Sequence, residues 1–391
     1  MLFFYYFLLI LGIGYVAALI FLWIGLTRLS NPKHDWQPLV SVVIAGRNES
    51  SNVPGLVASL QAQDYPVNRF EVIYVNDRSE DDTTAQFSQF TKDDPRFKLI
   101  NVTKAPQGIA PKKNALANGI SHASGEIILT TDADCRPVPS WISSMINNFT
   151  DDVGLVAGFS PLELPDINSI ARKLYALDSL SLACIAAGSS YWGKMATCSG
   201  RNLAYRKQVY EQVGGFQKVA QFISGDDDLF LHLISSETDW KVRYAFDSNA
   251  LVPAFPVKSL NAFYHQRIRH ASKGRHYGGQ TTAALIAVYL FNLLLFVTVP
   301  LSLISAITSP IPLSVFGAKA FFEFLFLYTG ARRVAKPKLL KVFWFAEILH
   351  IPYVVIFGAI GQFFKFKWKE RASGARLSNK RMIESERKAA L

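Results

Sequence analysis

EIILTTDADC, residues 126–135, reads as a short β-rich strand that ends in two carboxylates, Asp132 and Asp134, with one residue between them. Three runs of the same kind precede it: LVSVVIA (39–45), EVIYV (71–75) and FKLINV (97–102). The stretches 52–63, 81–91, 111–123 and 139–149 have helical character, and Pro54 and Pro139 suit helical first turns. Strand alternating with helix predicts a doubly wound α/β domain with a mainly parallel sheet. In such sheets ligands bind beyond the carboxyl ends of the strands, where the strand order switches. Glu49, Asp77, Asp132 and Asp134 all fall at those ends.

The rest of the chain does not fit a soluble protein. Half of its 391 residues are apolar, 29 are Phe, and the mean hydropathy is positive, which excludes a disulfide scaffold and a disordered chain and points to a membrane. The formal charge of +11 is unevenly placed. Residues 38–263 hold 20 Lys and Arg against 24 Asp and Glu, whereas 264–276 carry four basic groups, 331–341 five, and 365–391 nine against three acids. Each patch flanks an apolar run, where Lys and Arg are drawn to anionic headgroups by about 1 kcal/mol each. A membrane partner therefore explains the basicity, and nucleic acid is not expected. Cys135, Cys184 and Cys198 show no CxxC spacing and read as reduced thiols.

Leu2 to Leu26 carry no charge and are long enough to cross a hydrocarbon core of about 30 Å. A cleaved signal peptide would need a basic start and a shorter apolar run, so residues 1–27 read as an uncleaved anchor. Arg28 and Lys33 follow it, and the positive-inside rule then sends the chain into the cytoplasm. Further apolar runs occupy 281–308, 311–330 (with Lys319 and Glu323) and 342–364 (with Glu347, His350 and Pro352). If all three cross, the basic tail at 365–391 ends on the wrong side of that rule. The fourth run is therefore the expected re-entrant or interfacial segment, giving two to three spans in 281–364. The expected organisation is an anchor at 1–27, a cytosolic catalytic domain at 38–256, an amphipathic interfacial helix at 257–278, the membrane region at 281–364 and the tail. An integral protein of the cell (inner) membrane results. A second amphipathic stretch at 166–187 suits either the membrane surface or ordinary core packing.

Four polar segments carry the candidate chemistry. Asp132 and Asp134, on one face of a strand end, suit a hard divalent cation, Mg²⁺ or Mn²⁺, completed by a diphosphate; a solvated turn is the plain alternative. In VNDRSEDD, Asp77 can read a nucleobase or ribose, or else Asp77, Ser79 and Asp81 form a turn and cap. Lys112 and Lys113 open a helix, where a cation and free N–H groups favour phosphate unless the pair is a solvated face. Asp226, Asp227 and Asp228 follow a Gly and precede a helical run. Their mutual repulsion suits one of them to a general base, and first-turn helix acids are the alternative. In HQRIRHASKGRHY, Arg269 can clamp a diphosphate, with headgroup binding open for the other cations.

In this order the segments resemble the membrane-bound family 2 glycosyltransferases of the GT-A group, which include cellulose, chitin and hyaluronan synthases and ceramide glucosyltransferases. The resemblance covers roughly residues 38–276. VSVVIAGRNES looks like the family's opening strand, with Glu49 on the nucleotide; VNDRSEDD places Asp77 at the base; TTDADC matches the DxD, with Asp132 near the donor and Asp134 on the metal. CSGRNLAYRK looks like the acceptor-side segment around Ser199, Gly200 and Asn202, with Asp226 beside it. GDDDL resembles the motif whose base would be Asp227, and QRIRH resembles QxxRW through Gln266 and Arg269. His270 stands where the family has Trp, which reduces the stacking surface for an acceptor sugar.

The resemblance implies inverting transfer from a nucleotide-sugar donor, a UDP-sugar by expectation, with Mg²⁺ or Mn²⁺. The substituted Trp and the few membrane runs favour one transfer to a lipid or lipid-linked acceptor over a processive polysaccharide synthase. A non-catalytic membrane binding or transport protein is the contrasting expectation, in which Glu347 and His350 carry the function and the soluble acids are caps.

Overall fold

The computed structural model describes residues 2–104, 108–163, 169–222, 225–255, 264, 279–304, 309–363, 367–368 and 371–372. The chain divides into two compact units. One holds Ser30–Glu163 and Gly193–Phe255; the other holds Met1–Leu29, Leu164–Trp192 and Pro256–Ser373.

The first unit alternates strand and helix as the sequence predicts: β1 (Val40–Gly46), α2 (Val53–Gln61), β2 (Phe70–Asp77), α3 (Thr83–Thr91), β3 (Phe97–Val102), α4 (Pro111–Ser121), β4 (Ile127–Asp132) and α5 (Trp141–Ile146), where α1 is the N-terminal helix Leu2–Arg28 of the other unit. β5 (Val153–Gly158), β6 (Leu203–Arg206), α7 (Lys207–Gln212), α8 (Asp228–Glu237) and β7 (Lys241–Ala245) complete it; α6 (Ile170–Tyr191) is again part of the other unit. The seven strands lie in the order β3-β2-β1-β4-β6-β5-β7, and only β6 runs antiparallel to its neighbours.

Both faces are covered, which is why the strands are nearly continuous apolar runs. Val42, Ile44, Val72, Tyr74 and Leu129 pack with Leu56 and Leu60 of α2 and with Trp141 and Met145 of α5. On the opposite face α4 comes in at Gly119, where a Cβ would lie 2.4 Å from Val43 Cγ1, so that helix seats closely only with glycine there. β1 sits between β2 and β4, and the register pairs Gly46 with Asn76 and Ala45 with Asp132. The chain order switches at β1, and the ends of β2 and β4 flank the crevice that such a switch leaves.

A buried carboxylate ties the opposite end of the sheet together. Glu71 of β2 accepts from the Ser41 hydroxyl and the Ser124 amide, each at 2.6 Å, and from Lys98 Nζ at 2.6 Å. Burial opposes its charge, but these three donors outweigh it and hold its pKa below the ordinary glutamate value. A carboxylate depressed in this way contributes stability above its unfolded pKa and loses it as pH falls through the folded one. Glu71→Gln is expected to cost about 1–3 kcal/mol at neutral pH. It should also flatten the loss of stability between about pH 5 and pH 3. Thermal unfolding of both proteins across that range checks this; parallel curves would show that the carboxylate charge adds nothing.

Among the described residues of the second unit, four helices are long and apolar enough to cross a membrane by length and composition: α1, α9 (Gly279–Ile304), α10 (Ile311–Arg333) and α11 (Phe343–Phe363), which the 3₁₀ turn Pro337–Val342 leads into. α1 and α10 run parallel. Arg333 of α10 donates from Nη1 to Leu26 O (3.1 Å) and from Nη2 to Leu29 O (2.8 Å), capping the C-terminal carbonyls of α1 and gathering Arg28, Arg332 and Arg333 at one end.

Two expectations bear on this unit. α6 falls inside the sequence range expected for the catalytic domain, but it packs against α1. A Cβ on Gly25 would lie 2.2 Å from Gly188 O, and Trp192 Nε1 donates to Phe21 O at 3.1 Å while its ring stacks on Phe21. The small residues Ala183, Ala187 and Gly188 let the two backbones touch, so the amphipathic face serves helix packing. The fourth apolar run, read from the sequence as a re-entrant or interfacial segment, forms one unbroken helix with Pro352 inside it. Its Glu347 is not exposed to hydrocarbon, because Lys319 of α10 pairs with it at 2.5 Å.

Candidate active site

Asp132 is the last residue of β4, and the chain then turns, Cys135 N donating to Asp132 O at 3.1 Å. Asp134 therefore lies in a turn, and not on the strand face expected from alternation; the Cys135 thiol donates to its Oδ1 at 3.7 Å. Burial, followed by the charges of Asp132 and Asp134, pushes that thiol well above its ordinary pKa, in keeping with an inert reduced cysteine.

The carboxylate of Asp132 meets two cations. Lys112, in the first turn of α4, places Nζ 2.7 Å from Asp132 Oδ1 and 2.8 Å from Asp226 Oδ2, and Arg201 Nε lies 3.7 Å from Asp132 Oδ2. Burial opposes the charge of Lys112, but Asp132 and Asp226 outweigh it and raise its pKa above the ordinary lysine value, so it is an ammonium at any working pH. Lys113 plays a different part. Fully buried, it donates to Phe222 O at 2.5 Å and anchors the segment leading to the three aspartates.

Those aspartates do not face one another. Asp226 turns to Lys112, and Asp228 accepts at Oδ1 from Thr197 Oγ1 (2.7 Å) and Cys198 N (2.9 Å). Asp227 is the N-cap of α8, accepting at Oδ1 from Asp228 N (2.7 Å) and at Oδ2 from Gly200 N (3.3 Å). The plain reading of the triplet as a helix cap thus holds for Asp227, which at the same time sits against the CSGRN segment. Two glycines make this possible. Gly225 has φ +98°, a conformation that L side chains rarely adopt, and a Cβ on Gly200 would lie 3.0 Å from Asp226 Oδ2 and 3.6 Å from Asp227 Cβ.

Of the acceptor-side residues, Ser199 stays partly exposed, whereas Asn202 is fully buried. Its Nδ2 donates to Phe159 O and Ala250 O, and its Oδ1 accepts from Trp141 Nε1 at 2.9 Å. Asn202 therefore braces the segment from inside and its amide does not reach a ligand, which corrects its expected role. Asp77, at the end of β2, is paired with Arg78 at 2.8 Å, and the turn after it is closed by Asn76 and Asp81. The small burial cost at Asp81 is outweighed by hydrogen bonds from Thr83 and Ser50, which bring its pKa down to about 2. The turn and cap are thus made without Asp77. Glu49, between β1 and α2, accepts from Asn52 Nδ2 at 2.7 Å. Gln266 and Arg269 lie outside the described residues.

The structure thus brings Lys112, Asp132, Gly200, Arg201, Asp226 and Asp227 together and sets Asp134 two residues beyond Asp132. Arg201 is the member that sequence reasoning missed. Its only signal was a cation between Gly200 and Asn202 in a segment already singled out. Among the described residues no three His, Cys, Asp or Glu side chains gather as a metal centre. Carboxylate oxygen at Asp134 still suits Mg²⁺ or Mn²⁺, provided a ligand diphosphate and water supply the other oxygens.

Residues 41–214 match the family described as Glycosyl transferase family 2. Over 250 residues the chain is 27% identical to a poly-beta-1,6-N-acetyl-D-glucosamine synthase of Staphylococcus epidermidis, covering 63% of this chain and 57% of the relative. Over 269 residues it is 24% identical to a beta-monoglucosyldiacylglycerol synthase of Trichormus variabilis, covering 68% and 56%. The chain thus spans little more than half the length of these curated relatives. A solved mannosyltransferase of Pyrobaculum calidifontis, in complex with GDP-Man and Mn²⁺, matches with a TM-score of 0.54 at 18% identity, over 91% of this chain and 99% of that one, a likeness of fold. The sheet and its flanking helices have the GT-A fold. Residues 41–214 thus form a family 2 glycosyltransferase domain within the chain.

Proposed function

We propose that the protein is an inverting glycosyltransferase that moves one sugar from a nucleotide-sugar donor, a UDP-sugar by preference, to a lipid or lipid-linked acceptor at the cytoplasmic face of the cell membrane. The observation that carries this reading is the placement of Lys112, clamped between Asp132 and Asp226, next to Asp227 at the carboxyl ends of the sheet. A fixed ammonium is suited to a leaving diphosphate, and a carboxylate next to it is suited to take a proton from the attacking hydroxyl.

In this reading Asp227 deprotonates the acceptor hydroxyl as it attacks the anomeric carbon. Lys112 and Arg201 hold the departing diphosphate; Gln266 and Arg269, outside the described residues, keep the donor-binding role that the resemblance implies. Glu49 and Asp77 face the nucleoside. Ser199, Gly200 and Asp226 shape the acceptor side. Asp134 would hold Mg²⁺ or Mn²⁺, whose charge offsets that of the diphosphate. The lipid acceptor is supported by the four helices suited to a membrane and by a relative whose name is that of a glucosyldiacylglycerol synthase. A relative named as a polysaccharide synthase favours repeated transfer as the second reading, and the size of the lipid-extracted product separates the two.

Asp134→Ala is expected to weaken donor binding and metal binding together, with the donor Kd raised about 10-fold or more in the presence of Mg²⁺ or Mn²⁺ and little changed in its absence. Titration of the full chain with nucleoside diphosphate, with and without metal, checks this. Equal affinity in both proteins with metal present would remove Asp134 from the donor site.

A further inference from the structure

A second cluster of ionisable side chains lies within the helical unit, and the transfer reaction does not use it. Lys319 of α10 is fully buried, with Nζ 2.9 Å from Glu323 Oε1 on its own helix and 2.5 Å from Glu347 Oε1 of α11. Glu347 is itself buried, and Tyr15 of α1 donates its hydroxyl to Glu323. The cluster thus draws on three helices. α9 faces it with Phe291, whose ring stacks on Tyr15 at 4.8 Å. Among the described residues, His350 of α11, whose Nδ1 is buried without a hydrogen-bond partner, lies in its field, and Asp178 of α6 acts on His350.

The depth of the cluster follows from helix geometry. Glu323 is ten residues from Arg333 and Tyr15 is thirteen from Arg28, which places them about 15 and 20 Å from the basic end of the bundle. That is the middle of a hydrocarbon core about 30 Å thick. Two carboxylates and one ammonium leave one negative charge over, and an uncompensated charge at that depth is strongly disfavoured. Glu323 and Glu347 meet at the same ammonium, so a single proton held by the pair neutralises the cluster.

We propose that this cluster is a proton-binding site, holding one proton between Glu323 and Glu347, and that in this neutral form it clamps α1, α10 and α11 together. Loss of the proton leaves the two carboxylates repelling across one lysine. The clamp is therefore present at neutral pH and loosens as the medium turns alkaline.

Infrared spectroscopy of the full chain in bilayers reads the proton directly. At neutral pH the wild type is expected to show the carbonyl stretch of a protonated carboxyl group, which disappears on raising the pH and is absent from both Glu347→Gln and Glu323→Gln. Each single variant keeps the charge balance and should unfold within a few degrees of wild type at neutral pH. The double variant leaves Lys319 without a counter-charge and should unfold at a clearly lower temperature than either. A wild-type spectrum without that band would overturn the proposal, because the balancing charge would then lie on His350 or on a bound monovalent cation. So would a band that survives both single substitutions, or a double variant as stable as the singles.

Discussion

Asp227→Asn is expected to lower the rate of sugar transfer by roughly 10²- to 10⁴-fold, the usual worth of a positioned general base. The substitution is informative because asparagine caps a helix about as well as aspartate does. The bond from Asp228 N to position 227 Oδ1 can persist, and the contact given up is the longer one from Gly200 N to Oδ2, at 3.3 Å. Fold and donor affinity should thus be near wild type while kcat collapses, which separates a catalytic role from a structural one. Asp227→Ala removes the cap as well, and its additional loss of stability should be about 1 kcal/mol. Steady-state kinetics and thermal unfolding of both variants check the pair of results; normal turnover by Asp227→Asn would return this residue to being a cap alone.

The second large effect is expected at Lys112. Lys112→Met leaves Asp132 and Asp226 without the ammonium that bridges them, while Arg201 stays 3.7 Å from Asp132. Breaking a buried pair in this way typically costs 3–5 kcal/mol, and because this site is partly open to solvent, a loss of about 2–3 kcal/mol is expected. Donor affinity should fall too, by about 10-fold or more, because the leaving diphosphate loses a fixed cation. Adding Asp226→Asn to Lys112→Met removes one of the two stranded charges. It should return most of the stability and none of the donor affinity. Thermal unfolding with isothermal titration of nucleoside diphosphate reads both. A double variant that recovers donor binding would show that Lys112 serves the fold and not the donor.

How far these residues could be read from the sequence depended on the range of the interaction. The strands around Val43, Ile73, Leu99 and Leu129 announce themselves by local composition, and the acids at their ends follow from counting to where each apolar run stops. The four long apolar helices are equally local. What the sequence could not show is which groups meet across the sheet. Lys112 finds Asp132 and Asp226 because β4 lies between β1 and β6, an order that no neighbouring residues encode. For the same reason Asn202 looked like a ligand residue, although Trp141 and two carbonyls from distant segments take up its amide. α6 was ambiguous because its apolar stripe suits either the membrane surface or packing inside the protein; the approach of Gly188 to Gly25 shows the packing. In the fourth apolar run, Glu347 looked like a reason for a re-entrant or interfacial segment, because its partner Lys319 is 28 residues away in the chain.

The claim on which most depends is that the clamp around Lys112, with Asp227 beside it, transfers a sugar from a nucleotide donor. The most direct measurement is release of nucleoside diphosphate from a panel of nucleotide sugars by the full chain in native lipid, with and without Mg²⁺ or Mn²⁺, set against Asp227→Asn. The account predicts metal-dependent release from one donor, lost in the variant while that donor still binds. Folded protein that binds and turns over none of the donors, with lipid acceptor and metal present, would contradict it.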